Sequence, residues 1–330
     1  MRWPIVIACA LGALLLGAGV LLFVSAHWDE LSPAWRMMLV LLMVSFFHAA
    51  GVGATGRFDN LAVALHTVGT VTLGAGIALA GQIFNLSEHW PSAILLWTLG
   101  AALGWLLLGH WTQALLVAIL APYWLAGEWL VRMTELHYTL PVAAGACVLS
   151  FTYLSARRGP TDSALRKGLC WLGALALLPS VVILAADSWN RLPPPTDMLI
   201  VWWAAMLLPL GVAYLLRGRD AIWNVLAIAW TLGVPPLSDG HPDRIAVYGW
   251  FAIGAIGLAA WGIREGRPER INLGIAGFAL TVLAFYFSSV MDKLGRSASL
   301  IGLGILFLGG GWLLERTRRR LIAHMQPEVM

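Results

Sequence analysis

The stretch LAVALHTVGTVTLGAGIALAGQI, residues 61–83, holds no Asp, Glu, Lys or Arg in 23 positions. As a helix it is roughly 35 Å long, enough to cross a hydrocarbon core of about 30 Å with some tilt. Inside lipid only helices and closed barrels satisfy their own backbone groups, so a run of this length reads as a transmembrane helix. Similar runs fill the chain from end to end: 4–24, 34–53, 91–108, 112–131, 139–156, 168–186, 198–216, 220–236, 244–263, 271–291 and 298–314. The fold class is therefore all-α, a polytopic transmembrane bundle of about twelve helices joined by short loops.

Composition agrees. Of 330 residues 59% are hydrophobic and 12% charged, and the mean hydropathy is +0.78, whereas a soluble domain is about a quarter charged. The net charge of +4 does not indicate nucleic acid, because the basic residues sit at helix ends rather than on one continuous face. They indicate topology. With the termini inside, 15 of the 21 Lys and Arg fall in inner segments, including Arg57, Arg157, Arg158, Arg217, Arg267, Arg270 and Arg316. The positive-inside rule then makes this a multi-pass membrane protein with both termini cytoplasmic. Val24-Ser25-Ala26 resembles a signal-peptide cleavage site, but the preceding run is long for a signal segment and recurs later, so it reads as an ordinary span. Cys9, Cys147 and Cys170 lie in or at the edge of apolar stretches and read as small packing residues.

The recurrence is an internal repeat. Leu11-Gly12-Ala13-Leu14 aligns on Leu172-Gly173-Ala174-Leu175, and the same offset pairs Trp28 with Trp189 and Pro33 with Pro194. Leu86-Ser87-Glu88 and Pro91 echo Leu237-Ser238-Asp239 and Pro242, and Arg157-Arg158 echoes Arg318-Arg319. Two parallel six-helix halves follow, 1–160 and 161–330, the second carrying a short basic cytoplasmic tail. Gly17, Gly19, Gly74 and Gly76 read as close helix crossings, since no Lys-Ser/Thr follows them as a phosphate loop requires.

The outer loops combine acids with aromatic residues and a Pro that opens the next helix. Asp29, Glu30, Glu88, Asp239 and Asp243 form the candidate outer-face acidic cluster, suited to a cation or cationic solute. Zinc through His27, His89 and His241 is disfavoured, because no pair sits at ligand spacing on one helix. Neither a metal nor a cofactor motif emerges from the pattern.

Gly17-Ala18-Gly19-Val20, Trp28-Asp29, and Gly74-Ala75-Gly76-Ile77 through Gly81-Gln82-Ile83-Phe84-Asn85-Leu86-Ser87 to Trp90-Pro91 resemble the bacterial membrane-protein family catalogued as domain of unknown function 2157. The segment from Leu294-Gly295-Arg296-Ser297 to Trp312-Leu313-Leu314-Glu315-Arg316 looks like that family's C-terminal hairpin. The resemblance implies a bacterial inner-membrane protein and brings no activity with it.

Polar groups inside spans mark function, since lipid does not accept them. Gln82 and Asn85, beside Gly81, suggest an unwound helix end, and Glu128 sits within Tyr123-Trp124-Leu125-Ala126-Gly127-Glu128-Trp129. Gln82, Asn85 and Glu128 are the candidate polar cavity, with an i,i+4 pair between Glu128 and Arg132 as the alternative. His48 and His66, near the inner ends of adjacent helices, read as a packing pair, with a proton relay as the alternative. No paired acids or nucleophile elbow speaks for an enzyme. Transport or translocation of a small or lipid-linked solute is the function these features fit best; the alternative is a non-catalytic membrane partner or assembly factor of an envelope complex. The expected partners are the lipid bilayer and a second membrane protein or a further copy of this chain.

Overall fold

The computed structural model describes residues 32–83, 89–133, 139–159, 161–186, 196–238 and 244–290, with scattered single positions in 11–22 and 301–316. These residues form α1 Pro33–Ala54, α2 Asp59–Ile83, α3 Pro91–Leu108, α4 Trp111–Met133, α5 Leu140–Leu154, α6 Ala164–Ala186, α7 Thr196–Arg217, α8 Ile222–Ser238, α9 Ile245–Arg264 and α10 Pro268–Phe285. A 3-10 turn, Gly218–Ala221, joins α7 to α8, and a π turn, Tyr286–Val290, extends α10. Among the described residues there is no strand.

Local chemistry sets the helix ends. Pro33, Pro91 and Pro268 stand in the first turn of α1, α3 and α10, where the missing N–H has no intrahelical partner to lose. Ser32 caps α1 by accepting from the Trp35 N–H at 3.5 Å. Gly109 ends α3 with φ +66°, a left-handed turn that a side chain would resist.

Eight helical stretches are long and apolar enough to span a bilayer, one of them the continuous 40 residues Leu199–Ser238 that bend at the 3-10 turn; Leu140–Leu154 is a shorter apolar helix. The ten helices follow ten of the twelve spans read from the sequence. The other two, 4–24 and 298–314, fall outside the described residues apart from scattered helical positions, so the structure supports the membrane-spanning helical class without fixing a count of twelve.

The chain packs as two compact units, Met1–His137 and Tyr138–Met330. In the first, α1 lies on α2, α2 on α3, and α3 on α4. In the second, α5 is the centre: it packs on α6, α7 and α8, while α9 pairs with α10. Eleven of the fifteen residues of α5 are buried, and its about 22 Å of length, short for an unaided span, is sheathed by its neighbours. The packing boundary at residue 137 is a different property from the repeat boundary at residue 160, which concerns sequence pattern.

Around an apolar core, burial departs from that of a soluble protein. Leu106, Leu107, Leu175, Leu215 and Ile245 are exposed, whereas Gln113, Asn224, Arg217 and Arg270 are fully buried. Lipid explains this distribution, because an apolar side chain gains nothing by leaving hydrocarbon, while a polar one must find a protein partner.

Candidate functional site

Of the proposed cavity residues, Glu128 is described in full. Gln82 belongs to the last turn of α2 but its side chain lies outside the described set, as does Asn85 altogether. Asp29, Glu30, Glu88, Asp239 and Asp243 also lie outside the described residues. The Glu128 carboxylate accepts from Trp124 Nε1 at 3.0 Å, one turn back on α4, and pairs with His89 Nε2 at 3.0 Å. Trp124 and His89, rather than Arg132, thus occupy its oxygens. The ring of the next residue, Trp90, sits against Gly127, where a Cβ would come within 2.5 Å of it, and 5.8 Å from the Tyr123 ring. The carboxylate and imidazole are both partly exposed, so this constellation opens at the surface of the first unit.

A second polar group lies deeper in the same unit. His48 Nδ1 and His66 Nδ1 are 3.0 Å apart, and His110 brings a third ring within 5.4 Å of His66. The backbone oxygen of His66 accepts from Gln113 Nε2 and from Thr70 Oγ1, each at 3.1 Å. Nearby, the hydroxyls of Thr67 and Thr112 are 2.7 Å apart. The meeting of His48 with His66 was legible from their helix positions. His110 and Gln113 were not singled out in the sequence, although a polar His-x-x-Gln after the Gly109 turn is the signal that finds them.

The third constellation, in the second unit, was read in the sequence only as a topology signal. Helix α5 ends at Leu154, leaving carbonyls without intrahelical donors. Arginines supply them: Arg217 donates to Ser155 O at 2.6 Å, Arg270 to Ser155 O and Arg157 O at 3.3 Å, and Arg166 to Ala156 O at 2.9 Å. Arg217 and Arg270 are each 1% exposed, and Glu265 holds both, its oxygens 2.6 Å from Arg217 Nη2 and 2.6 Å from Arg270 Nη1. Trp261 Nε1 adds a third bond to Glu265 at 2.5 Å, and its ring faces the guanidinium of Arg270 at 4.5 Å. Asn224 donates to Ser155 Oγ at 2.9 Å. Arg157 pairs with Glu269, and Asp162 accepts from the N–H groups of Arg158 and Gly159. Burial pushes the Glu265 carboxyl up, but the hydrogen bonds of Arg217 and Arg270, the charge of Arg270 and the Trp261 bond outweigh it and hold the group below the usual carboxylate range. This cluster ties the loops after α5, α7 and α9 together and is a structural clamp.

Among the described residues, no group of three or more His, Cys, Asp or Glu is arranged to hold a metal ion. Of the three histidines weighed for zinc, His27 and His241 lie outside the described residues.

Lipid-length apolar helices around buried polar groups that hydrogen-bond to one another and to the backbone define a polytopic membrane protein. Residues 2–114, about a third of the chain, match the family model described as "Predicted membrane protein (DUF2157)". The match takes in α1 to α3 and the start of α4, including His48, His66, His110 and Gln113; the C-terminal segment from Leu294 to Arg316 lies beyond it. No curated protein and no solved structure matches the chain.

Proposed function

We propose that this is a bacterial inner-membrane protein, with both termini cytoplasmic, that moves a small or lipid-linked solute across the bilayer through twelve spans arranged as two parallel six-helix halves. One observation carries the reading: the first unit buries imidazole, amide and hydroxyl groups between apolar helices, with His66 2% and Gln113 0% exposed. Keeping such groups in lipid is costly, and they recur where a path or binding site needs them. Glu128 and His89 set a carboxylate against an imidazole at the unit's surface, and the outer-loop acids read from the sequence favour a cationic solute. Proteoliposomes test this in two arms, one following radiolabelled amino acids, sugars and nucleosides, the other following dithionite quenching of a fluorescent phospholipid. Flux in either arm supports the proposal. Protein that is folded and silent in both, and that co-purifies in fixed ratio with another envelope protein, makes it an assembly factor instead.

Two expectations accompany it. In a Cys-free background, a cysteine at the exposed Ser163 is labelled only from the cytoplasm and one at Ser32 only from outside; labelling of Ser163 from outside reverses the orientation. Glu128→Gln keeps a hydrogen-bond acceptor for Trp124 but loses the charge that faces His89. It abolishes flux while expression and Tm stay near wild type, and retained flux reduces Glu128 to a helix-end contact.

A further inference from the structure

We propose that His48 and His66 form one proton-binding site, two imidazoles joined Nδ1 to Nδ1 that together take up a single proton. The rings are seated reciprocally. His66, on α2, lies over Gly51 of α1, where a Cβ would come 2.7 Å from its Nε2; His48, on α1, lies over Gly69 of α2, where a Cβ would come 2.9 Å from its Cδ2. Each helix thus omits a side chain where the other sends a ring, and the two Nδ1 atoms meet at 3.0 Å. The two hydrogen bonds that Gln113 and Thr70 donate to the His66 carbonyl fix the backbone beneath one ring.

The tautomers follow from that distance. One ring donates its Nδ1–H and the other accepts at a bare Nδ1, so the donor's Nε2 is unprotonated and the acceptor's is protonated. A proton from water adds to the bare Nε2 of the donor ring. No bond is lost, the pair goes from neutral to +1, and the N–H···N contact becomes charge-assisted. A second proton would turn the accepting Nδ1 into a donor and set two cations against each other at 3.0 Å, so the pair takes one.

The surroundings leave this charge to the pair. On α1 the other titratable side chain is Arg36, twelve residues and roughly 18 Å from His48. On α2, Asp59 is seven residues before His66 and accepts the Gly56 N–H at 3.0 Å; Arg57 is exposed in the connecting loop. Helix α3 carries no titratable side chain. On α4, Tyr123, Glu128 and Arg132 lie ten or more residues past Gln113, roughly 15 Å along the axis. Among the described residues His110 alone faces the pair, ring against ring at 5.4 Å, and its Nδ1 is buried without a hydrogen-bond partner. Its ring is tilted 51° to that of His66, and among the described residues no side-chain hydrogen bond joins the two, so the site stores a proton rather than passing it along a wire. Solute movement is not required for it.

The test uses the wild-type protein, with 15N-labelled histidine, in lipid nanodiscs between pH 4.5 and 8.5. A 15N–15N coupling across the Nδ1···Nδ1 bond, persisting through uptake of one proton by the pair, is the expected result. His48→Gln and His66→Gln each abolish the coupling and that proton uptake, and His110→Gln leaves the coupling in place. Absence of the coupling in folded wild type, or two rings that titrate independently to +2 above pH 4.5, overturns the proposal without reference to any variant or to transport.

Discussion

Glu265→Ala should cost about 3–5 kcal/mol, the range for removing one partner of a buried ion pair. Two guanidinium groups depend on this carboxylate, and both are 1% exposed. Without it Arg217 and Arg270 remain buried beside each other, and the carbonyls of Ser155 and Arg157 must hold like charges close together. Detergent-solubilised protein should show a strongly lowered Tm, and proteolysis should begin in the loops 155–163 and 264–268. The same group sets an acid limit. Its folded pKa is depressed, so its contribution is fully present above the unfolded value, about 4.3, and is lost as pH falls through the lower folded value. Wild type should therefore hold its Tm down to about pH 5 and lose it below, while Glu265→Gln starts lower and shows the smaller acid decrement. A Glu265→Ala protein with unchanged Tm at neutral pH would mean that the clamp is dispensable.

Gly173→Val should destabilise the second unit by about 3 kcal/mol or more, at the upper end of overpacking costs. Helices α5 and α6 cross where a Cβ on Gly173 would lie 2.2 Å from Leu154 N and 2.4 Å from Ser150 O. Those atoms are backbone, so no rotamer change relieves the clash and α6 must move away from the central helix. The consequence spreads, since α5 also packs on α7 and α8. Gly53→Val is the control: it has open space around it, and it should express and elute as wild type. Comparable size-exclusion profiles for the two variants would show that the close crossing is not needed.

The positions of the helices were legible because the bilayer imposes a local rule: about 20 apolar residues, then a loop. Residues 34–53, 91–108 and 112–131 became α1, α3 and α4 almost to the residue, since Pro33, Pro91 and Gly109 mark their own ends. The encounter of His48 with His66 was half legible, as two histidines similarly deep in consecutive helices have to be near each other. That they meet edge to edge over Gly51 and Gly69 was not.

What tertiary structure alone decided is which side of each helix faces protein. In a soluble helix the apolar stripe gives this away. In lipid both faces are apolar, so α5 read as an ordinary span, although eleven of its fifteen residues are covered by α6, α7, α8 and the rest of its unit. For the same reason the arginines of the loops carried a topological message in the sequence and a structural one only in the fold. Arg217 reaches Glu265 across 48 residues and Ser155 across 62. Charge patterning within a loop cannot specify pairings at that separation; the packing of α5 among its neighbours, which brings three loop ends to one point, does.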